Sequence, residues 1–488
     1  MALGRERGIG VSGERASVAT EGWSYRGGRL ACGGVDAAAL AGAVGTPCYV
    51  YDGDGIAQRY RSIRSAMEAQ FGPDGVSVKY AVKACGNLAV LRLLAGLGCG
   101  MDVVTAGELE RAWAAGTPME RVCFAGVSKG DDELRAALDG SRSALAGDAS
   151  RIGGRDPSGR GPVAAVNVES MSELERLDAV GRELGVVADC TVRLNPAVTA
   201  GANEKVRVGS EGSKFGLTGQ EVLELAAAAA GMPGVRFRGV HMHLGSQIAE
   251  LDRFDAALSA YAGVVDRLRA AGRRCDVLNV GAGVAVSYMG EGVPSDAEWA
   301  RTLAGRLGRF VAEGAVVTVE PGREIVGAAG VLLTRVRHVK RTAGREIIAT
   351  DAGLNALVRP AMYGAEHFVW PAAAGESAGL SVIAPPGEGE GIPGATARDV
   401  VGPVCESSDV FARGRPLPAV ERGDVLAVFT AGAYGMSMAM TFNDLPLPAE
   451  VLVEAGAARV VREHQPLAEL LGPSAVPGRR VDVEGGSA

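Results

Sequence analysis

A chain of 488 residues, 47% hydrophobic and 22% charged, has enough apolar material for large buried cores and is not disordered in the main. A formal net charge of −7 speaks against a polyanion-binding surface, so nucleic acid is not expected as a partner. Eight cysteines without a CxxC pair, no N-terminal signal-type apolar core and no run of 18 apolar residues together predict a cytoplasmic protein that does not enter a membrane.

In chain order, residues 1–25 mix Arg, Glu and Gly and read as a flexible N-terminal tail, and 26–48 as a segment that joins a later β domain. From residue 76 short β-branched runs alternate with longer amphipathic segments: 76–82, 100–105, 121–126, 163–168, 190–195, 237–243, 275–281 and 315–320 are strand candidates. Helical spacing lies between them, as at Leu88, Leu91 and Leu94, or after the cap signal of Ser170. Eight such units predict an α/β fold, a (β/α)8 TIM barrel over 49–325. The Gly- and charge-rich stretch 143–162 reads as a loop insertion in it. Beyond residue 325 the texture turns to short Val, Ile and Thr runs, predicting a β-rich C-terminal domain (sandwich or barrel) over 326–470, with a loop at 384–395 and a flexible tail at 471–488.

Only six lysines occur, and Lys83 falls at the C-terminal end of the first barrel strand, the face on which barrel active sites form. It is suited to a Schiff base, although a lysine at an arbitrary site is more often snorkelling or salt-bridged. The sixth strand ends in HMHLGSQ, placing His241 and His243 on one face. Such a pair opens a metal site in some barrel hydrolases, but the other histidines (His338, His367, His464) all fall in the β domain, so no metal is expected. Stacking of one histidine on a planar cofactor is the alternative. Gly281 and Gly283 after the seventh strand offer close backbone approach to a phosphate, or merely a tight turn. Glu320 at the end of the eighth strand offers a carboxylate for a protonated pyridine nitrogen.

The ordered motifs YAVKACGN, GMDVVTAGEL, NVES, SKFG, HMHLGSQI, VGAG, EPGREIV, VRPAMYGAEH, VCESSDVF and GAYGMSM resemble those of the barrel-type (fold type III) PLP-dependent decarboxylase family, in particular its diaminopimelate decarboxylases, from about residue 45 to 456. The resemblance implies decarboxylation of meso-2,6-diaminopimelate to L-lysine and CO2, the last step of lysine biosynthesis. The alternative is another amino-acid substrate (ornithine-, lysine- or glutamate-like, or carrier-linked) handled by the same cofactor, pyridoxal 5'-phosphate. It implies that Lys83 carries PLP, with Asp102 nearby, His243 on the ring face and Glu320 on the ring nitrogen. Ser246, Gly281, Gly283, Gly322 and Arg323 would hold the phosphate, and Tyr434 would touch cofactor and substrate. Arg323, Arg359 and Tyr363 would bind the substrate's far end, with Glu406 reading its second ammonium and Cys405 supplying the proton after CO2 departs. Cys405 and Glu406 would come from the partner of an obligate homodimer with shared sites. Four positions depart from the family pattern: Cys85 beside the lysine, Ala282 in place of the central glycine of a GGG loop, and Phe442 and Leu445 in place of Tyr and Arg.

Overall fold

The structure is a computed structural model and describes residues 16–140, 161–198, 213–375, 380–386 and 394–472. Eight parallel strands close into a barrel: Val76–Ala81, Gly100–Val103, Val122–Phe124, Ala165–Val168, Ala188–Leu194, Val235–Met242, Val277–Asn279 and Val316–Val319. The last pairs with the first through Val317 beside Val76 and Val319 beside Val78, so no sheet edge is left open. These strands are buried almost throughout, because helices cover the outside while side chains fill the inside, and that explains their near-continuous apolar sequence. The fold class expected from eight βα units is the one observed. The expected cap also forms, with Ser170 Oγ accepting from the Glu173 N–H at the start of helix Met171–Leu184.

The β domain is a mixed sheet built on the long strand Gly330–Thr342, which pairs with Arg345–Thr350, Val425–Val428 and Cys48–Asp52. Thr396–Val401 and Val410–Leu417 extend it on one side, and Ala449–Glu454 and Ala457–Arg462 on the other. Cys48–Asp52 lies inside this sheet, between 330–342 and 449–454, although most of it falls within the 49–325 segment expected to form the barrel. Its five consecutive buried residues need cover on both faces, which the centre of the sheet supplies. Residues 16–25 also depart from the tail expected over 1–25. Val18 and Trp23 are buried, Thr20 donates to Asp52 Oδ2 at 2.5 Å, and Trp23–Arg26 pairs with Arg29–Cys32. The insertion at 143–162 lies, apart from its last two residues, outside the described residues, as do most of the loop at 384–395 and the tail from 473 onward.

Helix Gly53–Phe71 leads from the β domain into the barrel, and the barrel's C-terminal end faces the β domain. No helix among the described residues is long and apolar enough to cross a membrane.

Candidate active site

The cavity between barrel mouth and β domain has a volume of ≈ 730 Å³. Its barrel side presents Lys83, His243, Ser246, Tyr288 and Arg323, and its β-domain side Arg359, Tyr363 and Tyr434. Lys83 sits on a single 3-10 turn directly after the first strand, so its side chain leaves the barrel at the mouth. About a third of that side chain is open to the cavity, and Nζ lies 3.5 Å from Asp102 Oδ2. Burial pushes the Lys83 ammonium down, but Asp102, Tyr434, Glu320 and Glu108 outweigh it and raise its pKa. The amine is therefore kept protonated by its neighbours unless a ligand rearranges them.

Two carboxylates lie behind the lysine and their protons are divided unequally. Glu320, just past the eighth strand, accepts from Asn279 Nδ2 at 2.6 Å and lies 3.4 Å from His241 Nε2. Burial alone would raise its pKa; His241, Asn279 and Lys83 reverse that and hold it ionised well below the usual range. Asp102 on the second strand has fewer donors, and burial followed by repulsion from Glu320 pushes its pKa up. Its Oδ1 is buried without a hydrogen-bond partner, as is Nδ1 of His243. Burial keeps His243 neutral, with Lys83 and Arg193 acting in the same direction. An uncharged imidazole lining the cavity can lie against a planar ring without adding charge to it.

The opposite wall is basic. Arg323 donates from Nε to Ser246 Oγ at 3.1 Å and from Nη1 to the Tyr288 hydroxyl at 2.5 Å, and it lies 4.8 Å from the Tyr434 ring centre. Arg359, the first residue of helix Arg359–Tyr363, donates to His367 Nε2 and lies 4.7 Å from the Tyr288 ring centre. Both are about 95% buried and neither forms an ion pair among the described residues. Burying a guanidinium costs several kcal/mol unless an anion answers it, so the pair marks an anion-binding wall. Tyr434 has φ +56°, and its N–H donates to the Ala84 carbonyl, fixing it beside the Lys83 turn. A tyrosine held in left-handed backbone is strain of the kind found at functional sites.

The glycine N–H groups have partners within the protein. The N–H of Gly281 goes to Asn279 Oδ1, and those of Gly283 and Gly322 go to the buried carboxylate of Glu324 at 2.8 and 3.0 Å. Glu324 thereby ties the loops after strands seven and eight together. Glycine is required because the chains touch: a Cβ on Gly283, at φ +117°, would sit 2.1 Å from the Gly245 carbonyl oxygen. Ser246 and Arg323 are the groups that remain directed into the cavity for a phosphate. Ala282 is fully buried but does not have positive φ, so it carries none of the strain that a central glycine would relieve.

Cys405 and Glu406 are not brought to this cavity. Cys405 is exposed on a turn whose ends are pinned by Asp409, which accepts from the N–H groups of Val404 and Leu354, and the Cys405 N–H donates to Asn443 Oδ1. Phe442 is 43% exposed and, with Leu445, lies outside the cavity lining. Cys85 is buried and its thiol is pushed up to about 12, first by burial and then by Glu450, so it is unreactive near neutrality. Sequence reading missed Tyr288, His367, Asn279 and Glu324. Glu324 was readable as a carboxylate directly after EPGR; the others gave no signal of their own.

These residues fit PLP: an amine, an ionised carboxylate behind it, a neutral stacking imidazole with an orphaned nitrogen, and a basic wall with a hydroxyl. No cluster of three or more metal-ligating side chains occurs among the described residues. A family model for the pyridoxal-binding domain of pyridoxal-dependent decarboxylases matches residues 54–327, and the chain belongs to that family. The diaminopimelate decarboxylase of Pseudomonas fluorescens is 38% identical over 93% of this chain and 99% of its own. The crystal structure of diaminopimelate decarboxylase from M. jannaschii superposes with a TM-score of 0.81 at 32% identity, covering 94% of this chain and 98% of that one. The enzyme of Helicobacter pylori, solved with L-lysine, gives 0.76 at 31% identity, covering 89% and 98%. Within the family the chain falls among the diaminopimelate decarboxylases.

Proposed function

We propose that the chain decarboxylates meso-2,6-diaminopimelate to L-lysine and CO2 with PLP carried on Lys83. The observation that carries the substrate is the pair of buried guanidiniums of Arg323 and Arg359, neither of them in an ion pair among the described residues, on the cavity shared with Lys83. Relatives named for diaminopimelate, and one solved with L-lysine bound, support it. Bound PLP supplies an electron sink for the pair left behind by departing CO2. Ionised Glu320 would keep a ring nitrogen protonated, neutral His243 would lie against the ring, and Ser246 with Arg323 would hold the phosphate. Arg359, Tyr363 and the free edge of Arg323 hold the distant carboxylate, which orients the scissile one toward the lysine end.

Cys405 and Glu406 are exposed and stand outside this chain's own cavity lining. In this reading each chain of a homodimer lends them to its partner's site, Cys405 protonating the reacting carbon and Glu406 binding the second ammonium. The absence of disulfides among the eight cysteines supports a cytoplasmic setting. The test is CO2 release from meso-diaminopimelate, ornithine, lysine, arginine and glutamate with PLP present and Lys83→Ala as blank. Release from diaminopimelate alone is expected; silence there with release from another amino acid overturns the substrate.

A further inference from the structure

The basic wall is held in place by groups that do not neutralise it. The Nδ1 atom of His367 lies 2.8 Å from the Phe429 carbonyl oxygen, which can only accept, so Nδ1 carries the hydrogen. Nε2, 2.9 Å from Arg359 Nη1, is then the lone-pair nitrogen and accepts from the guanidinium. A second proton on His367 would aim an N–H at a guanidinium N–H inside the protein, and burial together with Arg359 and Arg323 pushes its pKa down to about 3. His367 is 1% exposed, and the Phe429 N–H pairs with the Phe368 carbonyl, so the ring cannot swing away.

Tyr288 completes the arrangement. Its hydroxyl accepts from Arg323, its face lies against Arg359, and its ring meets that of His367 edge-on with centroids 5.0 Å apart. Tyr288 and His367, with Ser246 on Arg323, therefore hold both arginines by neutral hydrogen-bond acceptors; the buried Glu324 carboxylate acts on Arg323 but forms no ion pair with it. The usual way to anchor a buried arginine is an Asp or Glu, which would consume the charge the ligand needs.

We propose that His367 and Tyr288 are positioning residues that aim Arg359 and Arg323 while leaving their charge available, and that this neutral anchoring sets the preference for a substrate with a second carboxylate. The inference deepens the proposed function and rests on it for the natural substrate, so its test uses a ligand that does not depend on turnover. Pimelate, a seven-carbon dicarboxylate, is titrated by calorimetry into the PLP-loaded full-length protein and into His367→Gln, His367→Leu and His367→Glu. Gln can accept from Arg359 and donate to the Phe429 carbonyl with no charge, and is expected to hold pimelate within threefold of wild type. Leu removes the acceptor, and Glu offers a stronger acceptor that cancels the guanidinium; both are expected to weaken pimelate at least tenfold. Cofactor absorbance and the unfolding midpoint serve as controls for the site and the fold.

A role in packing alone would make Glu, which can still anchor Arg359, bind at least as well as Gln, and that order overturns the proposal. Wild-type affinity in the Leu variant, or no pimelate binding by wild type, overturns it as well. If Glu fails to load PLP, Gln against Leu decides. Should CO2 release from diaminopimelate fail while the order Gln above Leu and Glu holds, the substrate reading falls and the neutral anchoring stands.

Discussion

The two walls of the cavity handle buried charge in opposite ways. On the lysine side the Lys83 ammonium is answered by carboxyls, with Asp102 and Glu108 pushed up first by burial and Glu320 held down, so charges of both signs meet there and protons can be redistributed. On the arginine side Tyr288, His367 and Ser246 hold two guanidiniums with neutral contacts, and the charge stays unspent until an anion arrives. The chemistry follows the division: proton and electron traffic belongs to the internally balanced wall, recognition to the unbalanced one. Breaking either wall should give a different kind of failure.

The largest effect is expected at the balanced wall. Lys83→Ala should lower CO2 release by roughly 10³-fold or more, since it removes the only lysine that lines the cavity among the described residues and with it the covalent hold on the cofactor. The check is loss of both the visible cofactor band and borohydride-trapped PLP. Next comes the site's dependence on two chains. Lys83→Ala and Cys405→Ala, co-expressed with different tags, should each be nearly inactive alone and recover about a quarter of wild-type activity when mixed. Half the dimers are then mixed and each mixed dimer has one intact site. Additive inactivity would mean that Cys405 serves its own chain. At the unbalanced wall, Arg359→Leu should lower kcat/KM for diaminopimelate by roughly 100-fold, mainly through KM, as expected when a charge-assisted contact to a carboxylate is removed. An equal loss for ornithine or lysine would show damage to the site at large.

The balanced wall also leaves a signature in stability. Asp102 has a folded pKa raised from 3.8 to about 8, so the folded state binds its proton more tightly than the unfolded chain does. Its contribution is therefore present below the unfolded value and is lost as pH rises through the window from about 4 to 8. Unfolding of the cofactor-free protein should show Asp102→Asn losing less stability than wild type across that window, by at most about 1.4 kcal/mol per pH unit. Glu320 has the opposite sign: its pKa is depressed, so its contribution holds above the ordinary carboxylate range and disappears only in strong acid.

What sequence could and could not reveal follows the same division. All eight barrel strands were legible because each is a short apolar run in a regular alternation. Lys83, Glu320 and Arg323 stand at strand ends, where topology alone puts chemistry. The N-terminal strand Cys48–Asp52 was misplaced because its pairing partners are Gly330–Thr342 and Ala449–Glu454, hundreds of residues away. Tyr288 and His367 were invisible for the same reason: an imidazole that accepts from an arginine eight residues back and donates to the carbonyl of Phe429 has no local pattern. The glycine loop adds what its sequence does not show: the N–H groups of Gly281 and Gly283 go to Asn279 and Glu324, and the missing Cβ of Gly283 serves close backbone contact.

The geometry of that loop fixes the sign of the smallest effect. If the position of Ala282 demanded left-handed backbone, restoring the family's glycine would relieve strain of about 1 kcal/mol and stabilise the protein. Ala282 does not have positive φ, and the alanine methyl is fully buried beside the cofactor loops. Glycine there would only add freedom to the unfolded chain and remove packed surface. Ala282→Gly should therefore destabilise, by about 0.5–1 kcal/mol in denaturant unfolding. A stabilised variant would show that the loop after the seventh strand is strained, and that Glu324 clamps it against that strain rather than merely closing its hydrogen bonds.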